Sequence, residues 1–194
     1  MNSRIRFAQA LDVYDAFSGL HIYAPRPSHA LAPLDHVRAL LASPRPATAL
    51  AYLAHLLARR EAVWWGCQCV SATLGAAADD AGLRLALQWV RDPDERSRRE
   101  ALTFAQAGDL RLATTWLARA VGHSGGSVAA PDQPAMAPNP DACALAVNAA
   151  VVLAATTTPS PLILPWIREC AEAGLRFASG QDARVSAPAR PGRV

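Results

Sequence analysis

The stretch Arg59-Arg60-Glu61-Ala62-Val63-Trp64-Trp65-Gly66-Cys67-Gln68-Cys69-Val70 decides the fold class of this chain, and it places two of the five tryptophans side by side. On a helix, which turns about 100° per residue, the two side chains point to different faces. Trp65 falls in line with Ala62, Cys69 and Ala72, an apolar stripe that belongs in a core. Trp64 falls in line with Glu61, Gln68 and Ser71, the most polar side, where it either covers a neighbouring helix or makes an interface.

Working outward, proline and glycine divide the rest of the chain into further helices, and strand signals are weak throughout. Upstream, Phe7, Ala10, Leu11, Tyr14 and Phe17 recur at helical spacing and stop at Ser18-Gly19. A proline-containing loop from His21 to Leu31 leads to a second helix after Pro33, over Leu34 to Leu41. Pro46 opens a third, carrying Leu50, Leu53, Ala54 and Leu57, with a break near Ala58 before the tryptophan helix. So short a link makes the two antiparallel neighbours or a bent pair.

Downstream, a helix from about Asp80 to Arg91 buries Leu83, Leu87 and Val90, with Trp89 to one side. Asp92-Pro93-Asp94-Glu95 then reads as an acidic cap, a proline at the first helical position and a glutamate three residues after the cap. That helix ends at Gly108, and Leu112 to Val121 forms the next. Asn139-Pro140-Asp141 caps a long helix to about Thr156. Ser160-Pro161 caps the last, which runs to Gly180, tolerates or kinks at Pro165, and buries Leu162, Trp166, Ile167, Cys170, Leu175 and Phe177.

The expected fold is therefore all-α: one domain over 1–180 with about eight helices, arranged as a bundle or as a short superhelical stack. No clean repeat period chooses between them. The tail, 181–194, rich in Pro, Ala and Arg, is expected to be disordered.

Composition narrows the function by exclusion. All 19 basic residues are arginine and the net charge is +3, too small for the concentrated basic face that nucleic acid requires. The absence of lysine matches a GC-rich coding sequence, so arginine at a given position carries no special preference. Ala142 to Ala155, the most apolar segment, falls short of the roughly 20 residues that cross a bilayer, which excludes membrane insertion and marks a buried helix. The first residues contain no apolar run of a secretory signal, which points to the cytoplasm. The four cysteines, Cys67, Cys69, Cys143 and Cys170, then read as reduced core residues.

Chemistry-bearing motifs are few. Gly122-His123-Ser124-Gly125-Gly126 fits G-x-S-x-G, the elbow that presents a nucleophilic serine between a strand and a helix. Here a helix precedes it, a proline-rich loop to Pro138 follows, and no histidine occurs after His123. The glycines more simply end the helix and allow a tight turn through Ser127 whose backbone N–H groups are free to meet a partner. Cys67 and Cys69 diverge by about 200° on a helix and cannot share a metal. His21, His29 and His36 lie in or beside the first loop without a completed ligand set, Asp79-Asp80 reads as a helix start, and Arg96-Ser97-Arg98-Arg99 reads as a solvated face. No catalytic, cofactor or metal residue is assigned.

The block Leu56-Leu57-Ala58-Arg59-Arg60-Glu61-Ala62-Val63-Trp64-Trp65-Gly66-Cys67, the later Trp89-Val90-Arg91-Asp92-Pro93 and the Ser124-Gly125-Gly126-Ser127 loop together resemble a family of small uncharacterised bacterial helical proteins. The genes of that family tend to lie near type VI secretion genes. The resemblance spans about Phe7 to Ala178. It implies a context rather than an activity: a non-enzymatic accessory protein, acting by contact with a protein component or effector of a secretion apparatus. Candidate interaction residues are Trp64, Gln68, His123, Ser124, Gly125, Gly126 and Ser127. The alternative is a helical domain binding a small molecule or peptide between the tryptophan helix and the loop, and a third reading is an enzyme centred on Ser124 and His123. The oligomeric state is open.

Overall fold

The computed structural model describes residues 4–74, 80–182 and 184–186. Among the described residues the regular elements are nine α-helices and one short 3-10 turn, Leu20–Ile22. The helices are α1 Ala10–Ala16, α2 Pro33–Ala42, α3 Ala47–Leu56, α4 Arg59–Leu74, α5 Ala81–Arg91, α6 Glu95–Ala107, α7 Ala113–Gly122, α8 Ala142–Thr156 and α9 Ser160–Ala178. Among the described residues no strand forms, and the one extended pairing is an isolated antiparallel bridge between Ile5 and Leu57.

The all-helical expectation holds, and the choice between bundle and stack falls to the bundle. In a stack each helix would meet only its neighbours along the chain. Here α8 packs on α3, α4 and α7, and α9 returns to α2, α3 and α4. The reason is visible in α8, which is apolar on nearly every side, so it must be surrounded; Cys143, Val147, Ala150, Val151 and Ala154 are buried along it. One contiguous apolar core results, running from Ala10 to Ala178.

The tryptophan helix is set as its periodicity requires. Trp65 is fully buried and its indole N–H donates to the Cys170 carbonyl at 2.9 Å, tying α4 to α9. Gly174 lets the two helices approach: a Cβ there would stand 2.9 Å from Trp65 Nε1. Glu61, Trp64, Gln68 and Ser71 are all half-buried, so the polar stripe forms as one face. The break at Ala58 is also present, with α3 ending at Leu56 and α4 opening at Arg59. All four cysteines are free and buried.

Several boundaries differ from the sequence reading. Phe7 to Gln9 stay outside α1. Asp92 closes α5, and Asp94 is the cap of α6, its carboxylate accepting from Ser97 N–H at 2.8 Å. Two acids flank Pro93, and the later one wins because the earlier is still occupied with ending the preceding helix. Trp89 is buried and Leu87 half-buried, the reverse of the expected order. Helix α8 begins only at Ala142, and Asp141 at its start makes no side-chain cap bond. Helix α9 begins at Ser160 with Pro159 before it and passes through Pro165; Leu162, Ile167 and Leu175 are half-buried. Asp79 and most of the tail lie outside the described residues. Gln181, Asp182 and residues 184–186 carry no helix.

Candidate functional site

The Gly122 to Ser127 loop is held from below by α6. Asp94 and Glu95 open that helix, and a helical repeat brings Arg98 and Arg99 back over Glu95. Arg98 is 3% exposed. Its Nε and Nη2 bond both Glu95 oxygens at 2.7 and 2.6 Å, its Nη1 donates to the Gly122 carbonyl, and Nη2 also donates to the Ser127 carbonyl at 2.8 Å. Arg99 reaches the Ala129 carbonyl at 2.6 Å, and Arg59, at the start of α4, reaches Ser124 O at 2.8 Å.

This overturns the solvated-face reading of Arg96 to Arg99. Of the four, Arg96 keeps to solvent, while Ser97 and Arg98 are buried. A buried guanidinium is tolerated because four donor contacts, two of them to a carboxylate, replace its water. The paired Arg98 and then Arg99 hold the Glu95 carboxyl down to about 2. The loop thus turns its carbonyls inward to arginines. Gly126, at φ +60°, makes the turn, and a Cβ there would lie 2.9 Å from both Arg98 Nη2 and Glu95 Oε2.

Behind the loop, His123 follows the last turn of α7. With Arg119 of α7, Leu102, Ala105 and Gln106 of α6, and Val128 of the loop, it lines a cavity of about 220 Å³. Burial, then the Arg119 and Arg98 charges, lower the His123 pKa. Its Nδ1 is buried without a partner. The G-x-S-x-G pentapeptide stands between helix α7 and an irregular loop, and the Ser124 carbonyl, through Arg59, is its tie to the tryptophan helix.

Trp64 borders a different depression, of about 200 Å³, with Arg4, Arg60, Glu61, Val90 and Phe177. Arg60 Nε donates to Val90 O at 2.7 Å, and the Arg4 guanidinium stacks 3.9 Å over the Phe177 ring. Gln68 continues the Trp64 face one turn on. The structure therefore does not bring Trp64 and the loop into one pocket: they border separate hollows, with no lining residue in common.

Two features escaped the sequence reading. One is a groove of about 410 Å³ lined by Tyr23, Pro44, Arg45, Pro46, Ala47, Thr48, Ala51, Asn148, Val152 and Leu164. Tyr23, Val152 and Leu164 are 44%, 37% and 50% exposed, and the neighbouring Ile22 is 71% exposed. The doublet Ile22-Tyr23 and the apolar run Pro161 to Pro165 were its available signals.

The other is a buried polar ladder between α1 and α3. Tyr14 of α1 stacks against Tyr52 of α3 at 5.7 Å, and Phe17, the residue that closes α1, meets His55, one turn further along α3, edge to face at 5.1 Å. Tyr14 donates its hydroxyl to Pro25 O at 2.7 Å and lies 3.0 Å from His36 Nε2, so the expected loop-side His36 is a core residue of α2. His55 is 1% exposed; its Nδ1 bonds Ala51 O at 2.8 Å, and its Nε2 lies 3.4 Å from Asp141 Oδ1 without the alignment of a hydrogen bond. Burial lowers the His55 pKa despite Asp141, and lowers that of His36. A histidine in the apolar run Ala51 to Leu57 was the signal here.

A family model covers residues 36–178, well over half of the chain. The protein belongs to DUF6931, a family of unknown function. The match includes every helix from α3 to α9 and leaves α1 and the 3-10 turn outside it. No curated protein matches the chain, and no solved structure does. Among the described residues no helix is long and apolar enough to cross a membrane.

Proposed function

We propose that this DUF6931 protein is a non-enzymatic accessory component of a type VI-like secretion system, working in the cytoplasm by contact with a protein of the apparatus or an effector. The secretion context rests on the resemblance carried by the Arg59 to Cys67 block and the Ser124 to Ser127 loop. The contact role rests on one observation above all: the open apolar groove between α3, α8 and α9, where Tyr23, Val152 and Leu164 stand exposed together. Clustered exposed apolar side chains mark contact surfaces more than scattered ones do. Arg45 is the charged residue lining the groove, so an apolar segment with a carboxylate beside it is the occupant that fits. Trp64, with Gln68, offers a second and smaller contact.

The test is affinity purification of the tagged protein from its native host with secretion genes expressed, with Leu164→Arg and Trp64→Ala as parallel baits. Recovery of a sheath, baseplate, spike or effector protein by the parent and its loss with Leu164→Arg is expected. Equal recovery with both variants removes the groove and Trp64 from the account, and failure of the parent removes the secretion role. The groove volume of about 410 Å³ also falls within the range of small-molecule pockets, about 300–1,000 Å³, which favours a small-molecule or peptide-binding domain as the second reading.

A further inference from the structure

We infer that the cavity between α6, α7 and the Gly122 to Ser127 loop is a binding site for a carboxylate on a short aliphatic stem, gripped by Arg119 and His123. It stands independently of the apolar groove and of the secretion context.

The charges around the cavity are one-sided. Arg98 and Arg99 share the single carboxylate of Glu95. Arg119 is held by stacking, its guanidinium carbon 5.3 Å from the Trp116 ring centroid, with no carboxylate against it among the described residues. A guanidinium stacked on an aromatic ring is preorganised and keeps its N–H edge for an acceptor. His123 supplies the second contact. Its Nδ1 is closed off from solvent and without a partner, so of the two ring nitrogens Nε2 is the one that can meet a ligand where the ring lines the cavity. In the neutral ring Nε2 can carry the proton and donate it to an anion.

Size and lining set the ligand class. Leu102, Ala105 and Val128 form apolar walls, and Gln106 sits at the polar side of the same cavity. The hollow of about 220 Å³ is below the usual range for cofactor pockets, about 300–1,000 Å³. It matches a carboxyl group with a few methylenes. One unpaired guanidinium beside a neutral imidazole balances a single negative charge, which favours a carboxylate over a doubly charged phosphate.

Binding of the anion and protonation of His123 must support each other. The groups facing this histidine are Arg119 of α7 and Arg98 of α6, both lowering its pKa, with burial acting in the same direction. Glu95 is bonded to Arg98, and Arg59 reaches the loop at Ser124 O. A bound carboxylate opposes the two arginines, so it raises the His123 pKa, and it binds more tightly as the pH falls.

The experiment follows the histidine ring signals by NMR across pH, with sodium propionate as probe, sodium chloride at matched ionic strength as reference, and the exposed His29 as internal control. In the parent protein propionate is expected to raise the His123 pKa saturably by about one pH unit and to leave His29 where chloride leaves it. Arg119→Gln, a substitution outside the core, should abolish the response. Gln106→Glu should raise the His123 pKa with no ligand present and remove the response to propionate. A His123 pKa that follows propionate and chloride alike overturns the site, as does an undiminished propionate response in Arg119→Gln.

Discussion

The adjacent tryptophans divide the labour of α4 residue by residue. Trp65→Ala removes a fully buried indole together with its bond to Cys170 O and should lower stability by about 3–5 kcal/mol. Trp64→Ala, on the half-buried stripe, should leave the fold intact. Urea denaturation of both variants checks this, and a Trp65→Ala protein as stable as the parent would contradict the face assignment. Gly126 and Gly125 form a second pair. Gly126→Ala forces a side chain into left-handed backbone at φ +60° against Arg98 and Glu95 and should destabilise by about 1–2 kcal/mol. At Gly125 nothing lies within 4 Å of an added Cβ, so Gly125→Ala should be tolerated.

The histidines give a residue-scale prediction with a defined sign. His36, His55 and His123 all have pKa values lowered in the fold, burial being the largest cause in each. An unfolded histidine titrates near about 6.5. Below that pH the unfolded chain therefore binds more protons than the folded one, and stability, full above it, declines. Thermal unfolding measured from pH 8 to pH 5 should show the midpoint falling on the acid side; a flat or rising midpoint would contradict the burial of the three rings. Glu95 acts in a separate, lower window. Its depressed pKa stabilises the fold above about 4.3, and that contribution is lost as the pH falls towards about 2.

At the scale of elements, α6 serves as the clasp of the loop. Its start depends on Asp94, whose carboxylate caps Ser97 N–H, so Asp94→Ala should lower stability measurably through loss of the cap. Asp92→Ala, at the end of α5, should cost less. Equal effects in a denaturation titration would put the cap back at Asp92. Arg98→Met retains an apolar stem but leaves the Gly122 and Ser127 carbonyls without their donor. Amide hydrogen exchange should then quicken across 122–129 while the centre of α8 stays protected, because the loop and the core are separate local units. The arginine run shows why a charge pattern on a helix is incomplete information. The i, i+4 spacing of Glu95 and Arg99 is legible in one dimension, but whether a loop from residue 122 onward covers that face is not.

The whole molecule is closed by chain segments far apart in sequence. Helices α8 and α9 return over α3 and α4, and Arg4 donates to the carbonyls of Phe177 and Gln181. Helix α1 and the turn after it lie outside the DUF6931 match, yet they place Val13, Phe17 and Leu20 in the core. Burying such side chains is worth about 1.5–3 kcal/mol each, a sum comparable with the whole stability of a domain, about 5–15 kcal/mol. A chain beginning at Leu31 should therefore lose its cooperative melt and expose the Tyr52 and His55 face. A truncated chain that melts like the parent would make α1 a dispensable cover.

The helical class, the break at Ala58, the apolar face of Trp65 and the buried run of α8 were all legible in the sequence. Each depends on local periodicity or on proline and glycine, which act within a few residues and need no partner to be recognised. The ends of α5 and α6 were legible only to within two residues, because Asp92 and Asp94 both have the chemistry of a cap. His55 beside Asp141, Arg98 beneath Gly122, and Tyr23 beside Leu164 were not legible at all. Each is a meeting of side chains from segments distant in the chain, decided by how the helices cross. The sequence by itself determined which segments are helical and which face of each is apolar, since both follow from backbone propensity and spacing. The tertiary structure alone decided which charged groups are buried and which hollows remain open, since both depend on what packs across from them.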